Sequence, residues 1–468
     1  MQPDVDVHGI PANMTGVMHG TRSAITEPAD RRPIGARVDQ GARCPARGAE
    51  GCGLSFVLAP LARLLRRGTV HGSLTLVDPA GRAHLFGHAP RPSVRIRIAD
   101  WGTVARLWLS PGLSVGEAYT DGRLIIEDGT LRDFLNVCVQ VYQALDGYGE
   151  QSVLRRLVGS ARRLRNRNPL EKARANAAHH YDLPGALYDL FLDTDRQYSC
   201  AYFPTGGETL EEAQAKKKLH LATKLLIKPG MRVLDIGSGW GGLALDLARQ
   251  GAGTVTGLTL SQEQLSASRA RAADAGLADR VAFHLRDYRE ERGTYDRVVS
   301  VGMLEHVGAA HYDAFFGAVR RLLRPDGVAL IHAIGRMEPP GGPNPWLRKH
   351  IFPGGYCPAL SEVLAGVERT DLWVTDVEIL RLHYAETLRH WFDRFEANRE
   401  TARALYGERF CRMWEFYLAA CEAAFREGRM IVFQIQLARA RDAVPLSRGY
   451  MYAGSTPPAM CGDAGRTG

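Results

Sequence analysis

The sequence predicts an α/β fold: a mostly parallel sheet with helices on both faces and one antiparallel edge strand, preceded by a smaller α+β unit. Three observations predict it. From Lys228 to Gly335, apolar strand-like runs alternate with helix-like segments. A glycine-rich turn, "GSGWGG", stands where the first of those strands hands over to a helix. Near the end, "MIVFQIQLAR" sets Phe433, Ile435 and Leu437 against Gln434 and Gln436, the period of two expected of an antiparallel strand at a sheet margin.

The elements follow in order. Residues 1–50 are rich in Gly, Pro, Ala, Arg and Asp without periodicity, and are expected to form a disordered tail. An accessory unit is expected over 51–150. In it "GSLTLVDPAGRAHLFG" gives two short strands around a Pro-Ala-Gly turn, "SVRIRIAD" alternates as a half-buried strand, and "GTLRDFLNVCVQVYQAL" has helical spacing. A basic linker is expected over 151–175, where Arg155, Arg156, Arg162, Arg163, Arg165, Arg167, Lys172 and Arg174 meet one acid, Glu171. A solvated helix and a foothold on anionic lipid both account for it. It lacks interleaved aromatics, so nucleic acid is not an expected partner.

The larger unit is expected over 176–445. Its strands are "MRVLDIGSG", "GTVTGLTL", "RVAFHLRD", "YDRVVSVGM" and "GVALIHAIG", with "LWVTDVEIL" and "MIVFQIQLAR" later. Helices fall at "WGGLALDLARQ" and "SQEQLSASRARAADAG", the second opened by Ser261 as its N-cap. "ALYGERFCRMWEFYLAACEAAF" reads as one amphipathic helix with Leu405, Met413, Trp414, Tyr417, Cys421 and Ala424 on a stripe. Residues 446–468 are expected to form a second disordered tail.

Composition limits the partners. The 468 residues carry a net charge of +8, which favours an anionic partner. The eight cysteines show no C-x-x-C spacing, so neither a disulfide framework nor a metal site is expected, and a reducing cytoplasm fits. Asp4 and Asp6 stand where a signal peptide would be basic, and no run approaches the ~18 apolar residues that would span a bilayer. A membrane would be met from its surface.

In "VLDIGSGWGG", Gly237, Gly239 and Gly241 let the backbone approach a ligand at a helix start, after Asp235. Gly237, Gly239 and Gly242 keep the G-x-G-x-x-G spacing of a dinucleotide fingerprint, which alone is a weak signal; a nucleoside without pyrophosphate is the expected ligand. Asp287 and Tyr288 of "LRDY" follow the third strand, where a carboxylate can accept from an adenine amino group. This turn is similar to that of S-adenosylmethionine enzymes. Many of those place an acid at the end of the second strand; "GLTLSQEQ" offers Thr259, Ser261 and Gln264 instead.

The motifs "YDLPGALYDLFLD", "QYSCAYF", "VLDIGSGWGG", "GLTLSQEQ", "DRVVSVGMLEHVG", "IHAIG", "IFPGGYCP" and "HYAETLRHWFDRF" occur in this order. Together they resemble the cyclopropane-fatty-acyl-phospholipid synthases and the related mycolic acid cyclopropane synthases, closely over 165–440. The resemblance implies a Rossmann-like class I methyltransferase fold, S-adenosylmethionine as methyl donor, and a bound bicarbonate ion as base. It implies that Glu305, His332, Tyr384, Cys200 and the Ile334 backbone hold that ion, and that Tyr198 and Ser199 touch the methionine end of the cofactor. The reaction it implies places a methylene across the cis double bond of an unsaturated phospholipid acyl chain.

Attack of an alkene on a sulfonium methyl leaves a carbocation, so the site must exclude water and hold a base against the new methyl. Cys200 has no neighbour in sequence that would activate it as a nucleophile. The aromatic segment 181–203 and "IFPGGY" are candidate walls for the acyl chain. "EPPGG", from Glu338 to Gly342, is expected to form a loop over the pocket. Expected partners are an unsaturated acyl chain and the bilayer surface, met peripherally at the inner, cytoplasmic face of the membrane, and a homodimer is compatible with the sequence. Three other readings stay open: a methyl- or methylene-branched fatty-acid product at the same site, an amine N-methyltransferase, and a non-catalytic lipid- or cofactor-binding protein.

Overall fold

The computed structural model describes residues 56–69, 71–88, 92–146 and 185–452. The first tail, the basic linker, Tyr181 and the end of the second tail therefore lie outside the described residues.

The N-terminal layer begins with α1 (Ala59–Gly68). Strands β1 (Ser73–Val77) and β2 (Ala83–Gly87) form the expected hairpin. Its turn is fixed by the Asp78 carboxylate, which accepts from the backbone of Ala80 and Arg82. β3 (Ser93–Ile98) runs parallel to β1, and β4 (Leu124–Asp128) antiparallel to β3, in the order β2-β1-β3-β4. Between β3 and β4 lie α2 (Trp101–Leu109), capped by Asp100, and α3 (Pro111–Thr120), opened by proline. α4 (Leu131–Asp146) ends the layer.

After α5 (Gly185–Asp189), α6 (Leu210–Lys224) starts with a capping box between Thr209 and Glu212. The large sheet then builds up as β5 (Arg232–Ile236), α7 (Gly242–Arg249), β6 (Thr254–Thr259), α8 (Gln262–Asp274), β7 (Val281–Leu285) and β8 (Tyr295–Val301). It continues through α9 (Leu304–Val307), α10 (Tyr312–Leu322), β9 (Leu323–Arg336), α11 (Pro345–His350), α12 (Leu360–Glu368) and β10 (Trp373–Leu380). The last elements are α13 (His383–Ala397), α14 (Arg399–Tyr406), α15 (Glu408–Arg426), β11 (Met430–Ala438) and α16 (Gly449–Tyr452).

The strand order is β10-β11-β9-β8-β5-β6-β7. Only β11 runs against its neighbours. The order reverses between β5 and β8, so the carboxyl ends of those strands open a crevice. Apolar side chains pack on both faces: Leu245, Leu247, Val255 and Phe283 on one, Phe315, Phe316, Val363 and Phe433 on the other.

Three expectations need correction. β11 is second from the margin, because β10 pairs along its outer side. Gln434 and Gln436 are also buried, at 0% and 1% exposure, rather than solvated, because α6 covers that face and Gln436 Nε2 donates to Lys224 O. The long amphipathic helix is two helices: Gly407, at φ 82°, separates α14 from α15 and leaves Leu405 exposed, off the buried stripe of Trp414 and Tyr417. The segment after 445 is not all tail, since α16 closes over the sheet and Tyr450 accepts from Gln436 Nε2 at 2.7 Å.

The N-terminal layer docks on α15. An added Cβ on Gly116 of α3 would stand 2.7 Å from the Phe416 ring, so only glycine permits that approach. Tyr119 donates to Glu415 at 2.9 Å, and Arg132 of α4 to Asp393 at 2.8 Å.

Candidate active site

A cavity opens at the carboxyl ends of β5, β6, β7 and β8. Asp235 stands one residue before the end of β5, and Gly237, Ser238 and Gly239 turn the chain into α7. Gly237 and Gly239 take φ of 85° and 54°, and a Cβ on Gly239 would meet nothing within 4 Å, so that backbone is open to a ligand. Gly241 differs. It lies beside the cavity with φ 83°, and its missing Cβ makes room for Phe283, 2.6 Å away.

Thr259 ends β6 and donates to Gln264 at 2.8 Å, while Ser261 caps α8. Asp287 and Tyr288 close the far side. Both Asp287 oxygens accept from Arg289, at 2.7 and 2.8 Å, so an adenine would have to share that carboxylate. Tyr198 and Ser199 enter from the segment between α5 and α6. Of the sequence-predicted cofactor residues, all but Gly241 line this one cavity.

Asp235 is the electrostatic signature of the cavity. Burial raises its carboxyl to about 7, offset in part by Lys217, and its Oδ2 has no hydrogen-bond partner. An orphaned buried oxygen beside an open glycine turn fits a polar ligand group. His306 lines the same cavity, and burial lowers it to about 4, so it is neutral.

The five sequence-predicted catalytic groups do not line this cavity: Glu305 and Tyr384 stand on helices, His332 and Ile334 on β9, and Cys200 in the segment between α5 and α6. Glu305 sits in α9, directly after β8. Its Oε1 accepts from Ile334 N of β9 at 2.6 Å, and its Oε2 is buried without a partner. Burial raises this carboxyl to about 7, against the Ile334 hydrogen bond that lowers it. The Ile334 N–H is thus taken up by Glu305 itself.

His332 precedes Ile334 by two residues on β9 and pairs across the sheet with Gln434, whose Nε2 lies 3.2 Å from Nδ1. Burial, then the charges of Lys217 and Lys224, lower the imidazole to about 3, so it is neutral at every physiological pH.

Tyr384 opens α13, edge-on to Trp391 and to Phe425 at ring distances of 5.8 and 4.8 Å. The same helix start anchors the segment that carries Cys200. Ala201 N donates to Thr387 Oγ1 at 3.0 Å, and Phe203 N to His383 Nδ1 at 2.9 Å. Cys200 Sγ donates to Ala201 O at 3.3 Å, and burial pushes the thiol well above its ordinary value, which removes it as a nucleophile.

The aromatic segment is both core and wall. Tyr188 and Phe191 are fully buried, whereas Tyr198 reaches the cavity and shares a hydrogen bond with Tyr417 at 2.8 Å. Tyr202 stacks on His220 and Phe203 on His390.

Sequence reasoning missed Lys217, Gln197, Trp240, His306 and Gln434. Lys217 was hidden in the run from Lys216 to Lys218. Gln434 carried a signal, its alternation, but that pattern also describes a solvated face.

Comparison with known proteins adds the following. The profile of the mycolic acid cyclopropane synthetase family matches residues 168–435. A probable fatty acid methyltransferase of Pseudomonas putida is 38% identical over 75% of this chain and 88% of its own length. The cyclopropane-fatty-acyl-phospholipid synthase of Escherichia coli strain K12 is 36% identical over 78% of this chain and 92% of its own. Among solved structures, a mycolic acid cyclopropane synthase complexed with SAH and CTAB is 35% identical, with a TM-score of 0.54 over 56% of this chain and 97% of that one.

Proposed function

The chain belongs to the mycolic acid cyclopropane synthetase family and is an S-adenosylmethionine-dependent methyltransferase, and from that premise we propose that it closes a cyclopropane ring on the cis double bond of an unsaturated phospholipid acyl chain. The observation that carries the reading is Glu305: a buried carboxylate raised to about 7, with one oxygen orphaned and the other bonded to Ile334 N of the strand that also carries a neutral His332. Such a group is poised for proton work near neutral pH.

When bound, the methyl donor supplies an electrophilic carbon. Asp235, Gly237 and Gly239 would hold its polar end and backbone contacts, with Thr259, Ser261 and Gln264 along the cavity and Asp287 and Tyr288 at the base. Tyr198 and Ser199 would face its methionine end. The alkene would give its electron pair to the methyl carbon as the carbon–sulfur bond breaks and its pair leaves on the neutral thioether, so that positive charge develops on the acyl chain. Negative charge on Glu305 favours that cation, and the faces of Tyr198, Trp391 and Tyr417 exclude water and stabilise it.

One proton must then leave the new methyl so that its C–H pair closes the ring. Bicarbonate would take it. His332 would donate one N–H to that ion and Tyr384 its hydroxyl, while Glu305 would accept the ion's own O–H and so raise its basicity. A second reading has one observation in its favour: Glu305 Oε2 is itself orphaned and could take the proton directly.

The names of the relatives divide between ring formation and simple methylation, so a methyl- or methylene-branched product is the alternative at the same site. Family membership disfavours an amine substrate, and a methyltransferase is not a passive binding protein. We also propose that the protein works at a membrane surface from the cytoplasmic side. No helix among the described residues is long and apolar enough to cross a bilayer, and the basic stretch between 155 and 174 would bind anionic headgroups. Expression in a host without ring-bearing lipids, followed by fatty-acid analysis, tests the assignment. Acid-labile acids one methylene heavier than the unsaturated precursors support it, and an unchanged lipid profile with folded protein present contradicts it.

A further inference from the structure

An anion seated beside Glu305 needs a positive charge, and the groups assigned to hold it supply none. His332 is neutral, Cys200 keeps its proton, and Tyr384 contributes a neutral hydroxyl. Two buried lysines act on His332 from α6, Lys217 and Lys224. Lys224 is committed elsewhere: its Nζ lies 2.9 Å from Glu378 and 3.4 Å from Asp376. Lys217 is not. It is 0% exposed, and its Nζ donates to Gln197 Oε1 at 2.5 Å and to Ser199 Oγ at 3.0 Å, both uncharged. Among the described residues, no carboxylate lies within ion-pair distance of it. A buried ammonium without a directly paired carboxylate keeps its field, and that field reaches Cys200, His332 and Asp235.

We propose that Lys217 is a positioning residue that seats the base anion: its charge offsets that of Glu305, and its hydrogen bonds fix the 197–200 segment that carries Ser199 and Cys200. This rests on the bicarbonate reading above. The groups facing Lys217 are Asp193 and Asp195 of the segment before α6, Lys218 on its own helix, Cys200, Asp235 at the end of β5, and His332 on β9. Burial outweighs the acids among them and lowers the ammonium to about 8. The lysine is charged below that pH and neutral above it, so anion affinity is present in neutral solution and lost as pH rises.

The test uses the full chain freed of dissolved carbonate, with initial rates measured against added bicarbonate for wild type, Lys217→Met and Lys217→Arg. The expected result is a saturable wild type and a half-saturating bicarbonate concentration at least about tenfold higher in Lys217→Met. An unchanged half-saturating concentration in that variant, whatever its kcat, overturns the role of Lys217. A wild type indifferent to bicarbonate overturns the anion reading itself, and this assignment with it. Should Lys217→Met not fold, the wild type decides. Its half-saturating concentration must rise from about pH 7 to about pH 9 and rise less in Lys217→Arg, which stays charged. Ionisation of Glu305 contributes equally to both, so equal curves overturn the proposal.

Discussion

Replacing Glu305 with glutamine should cripple turnover and stabilise the protein at once. The amide keeps the side-chain volume and the oxygen that accepts from Ile334 N, and removes only the charge. Burial raises the carboxyl from an ordinary 4.5 to about 7. The sign follows. Below about pH 4.5 both folded and unfolded states are protonated and nothing is lost. Above it the unfolded chain ionises first, and the folded state is penalised until it ionises too, above about pH 7.

At 1.36 kcal/mol per unit, the penalty is about 1 kcal/mol at pH 5 and about 3 kcal/mol at pH 8. Glu305→Gln should remove it, so the stability gap between variant and wild type should widen by about 2 kcal/mol over that range. Over the same range, kcat should fall by about 10²–10⁴ with cofactor affinity within about threefold. Chemical denaturation at the two pH values and initial rates with unsaturated phospholipid vesicles measure both. A variant with near-normal turnover, or a stability gap that does not change with pH, refutes the reasoning.

Gly241→Ala should lose about 1–3 kcal/mol, because φ is 83° and the new Cβ would stand 2.6 Å from Phe283; Gly230→Ala, at φ 82° with open space, should lose less in the same denaturation experiment. Cys200→Ser should keep turnover within about tenfold, since the thiol has no activating base and donates to the Ala201 carbonyl; a loss beyond about 10³ would make it a nucleophile. Sedimentation with anionic vesicles should weaken steeply between low salt and about 0.5 M, where the Debye length falls to a few ångströms; salt-independent binding would remove the electrostatic foothold.

Much of the fold could be read along the chain because its signals are local. Strands β5 to β8 are short apolar runs bounded by turn residues, and Ser261 announces α8 by its capping chemistry. The glycine turn and Asp235 were legible for the same reason: positive φ at Gly237 and Gly239 permits few other residues. The errors came from partners far apart in sequence. Gln434 and Gln436 look solvated until β10 covers β11 and α6 closes over the sheet. The break at Gly407 was passed over because the apolar spacing on either side happens to stay in phase. Lys217 could not be singled out from its neighbours, because only packing against Gln197 and Ser199 distinguishes it from Lys216, which pairs with Glu208 at 2.7 Å. Nothing local says that Thr387 and His383 would pin the Cys200 segment to the helix of Tyr384.

The central claim is that a base in this site strips one proton from the transferred methyl while water is kept from the acyl cation. Supplying the enzyme with methyl donor bearing three deuteriums on its methyl, and analysing the lipid by mass spectrometry, tests it most directly. The account predicts a product that retains two of the three deuteriums, resists mild hydrogenation and is opened by acid. A product that retains all three, or an alcohol from capture of the cation by water, would contradict it.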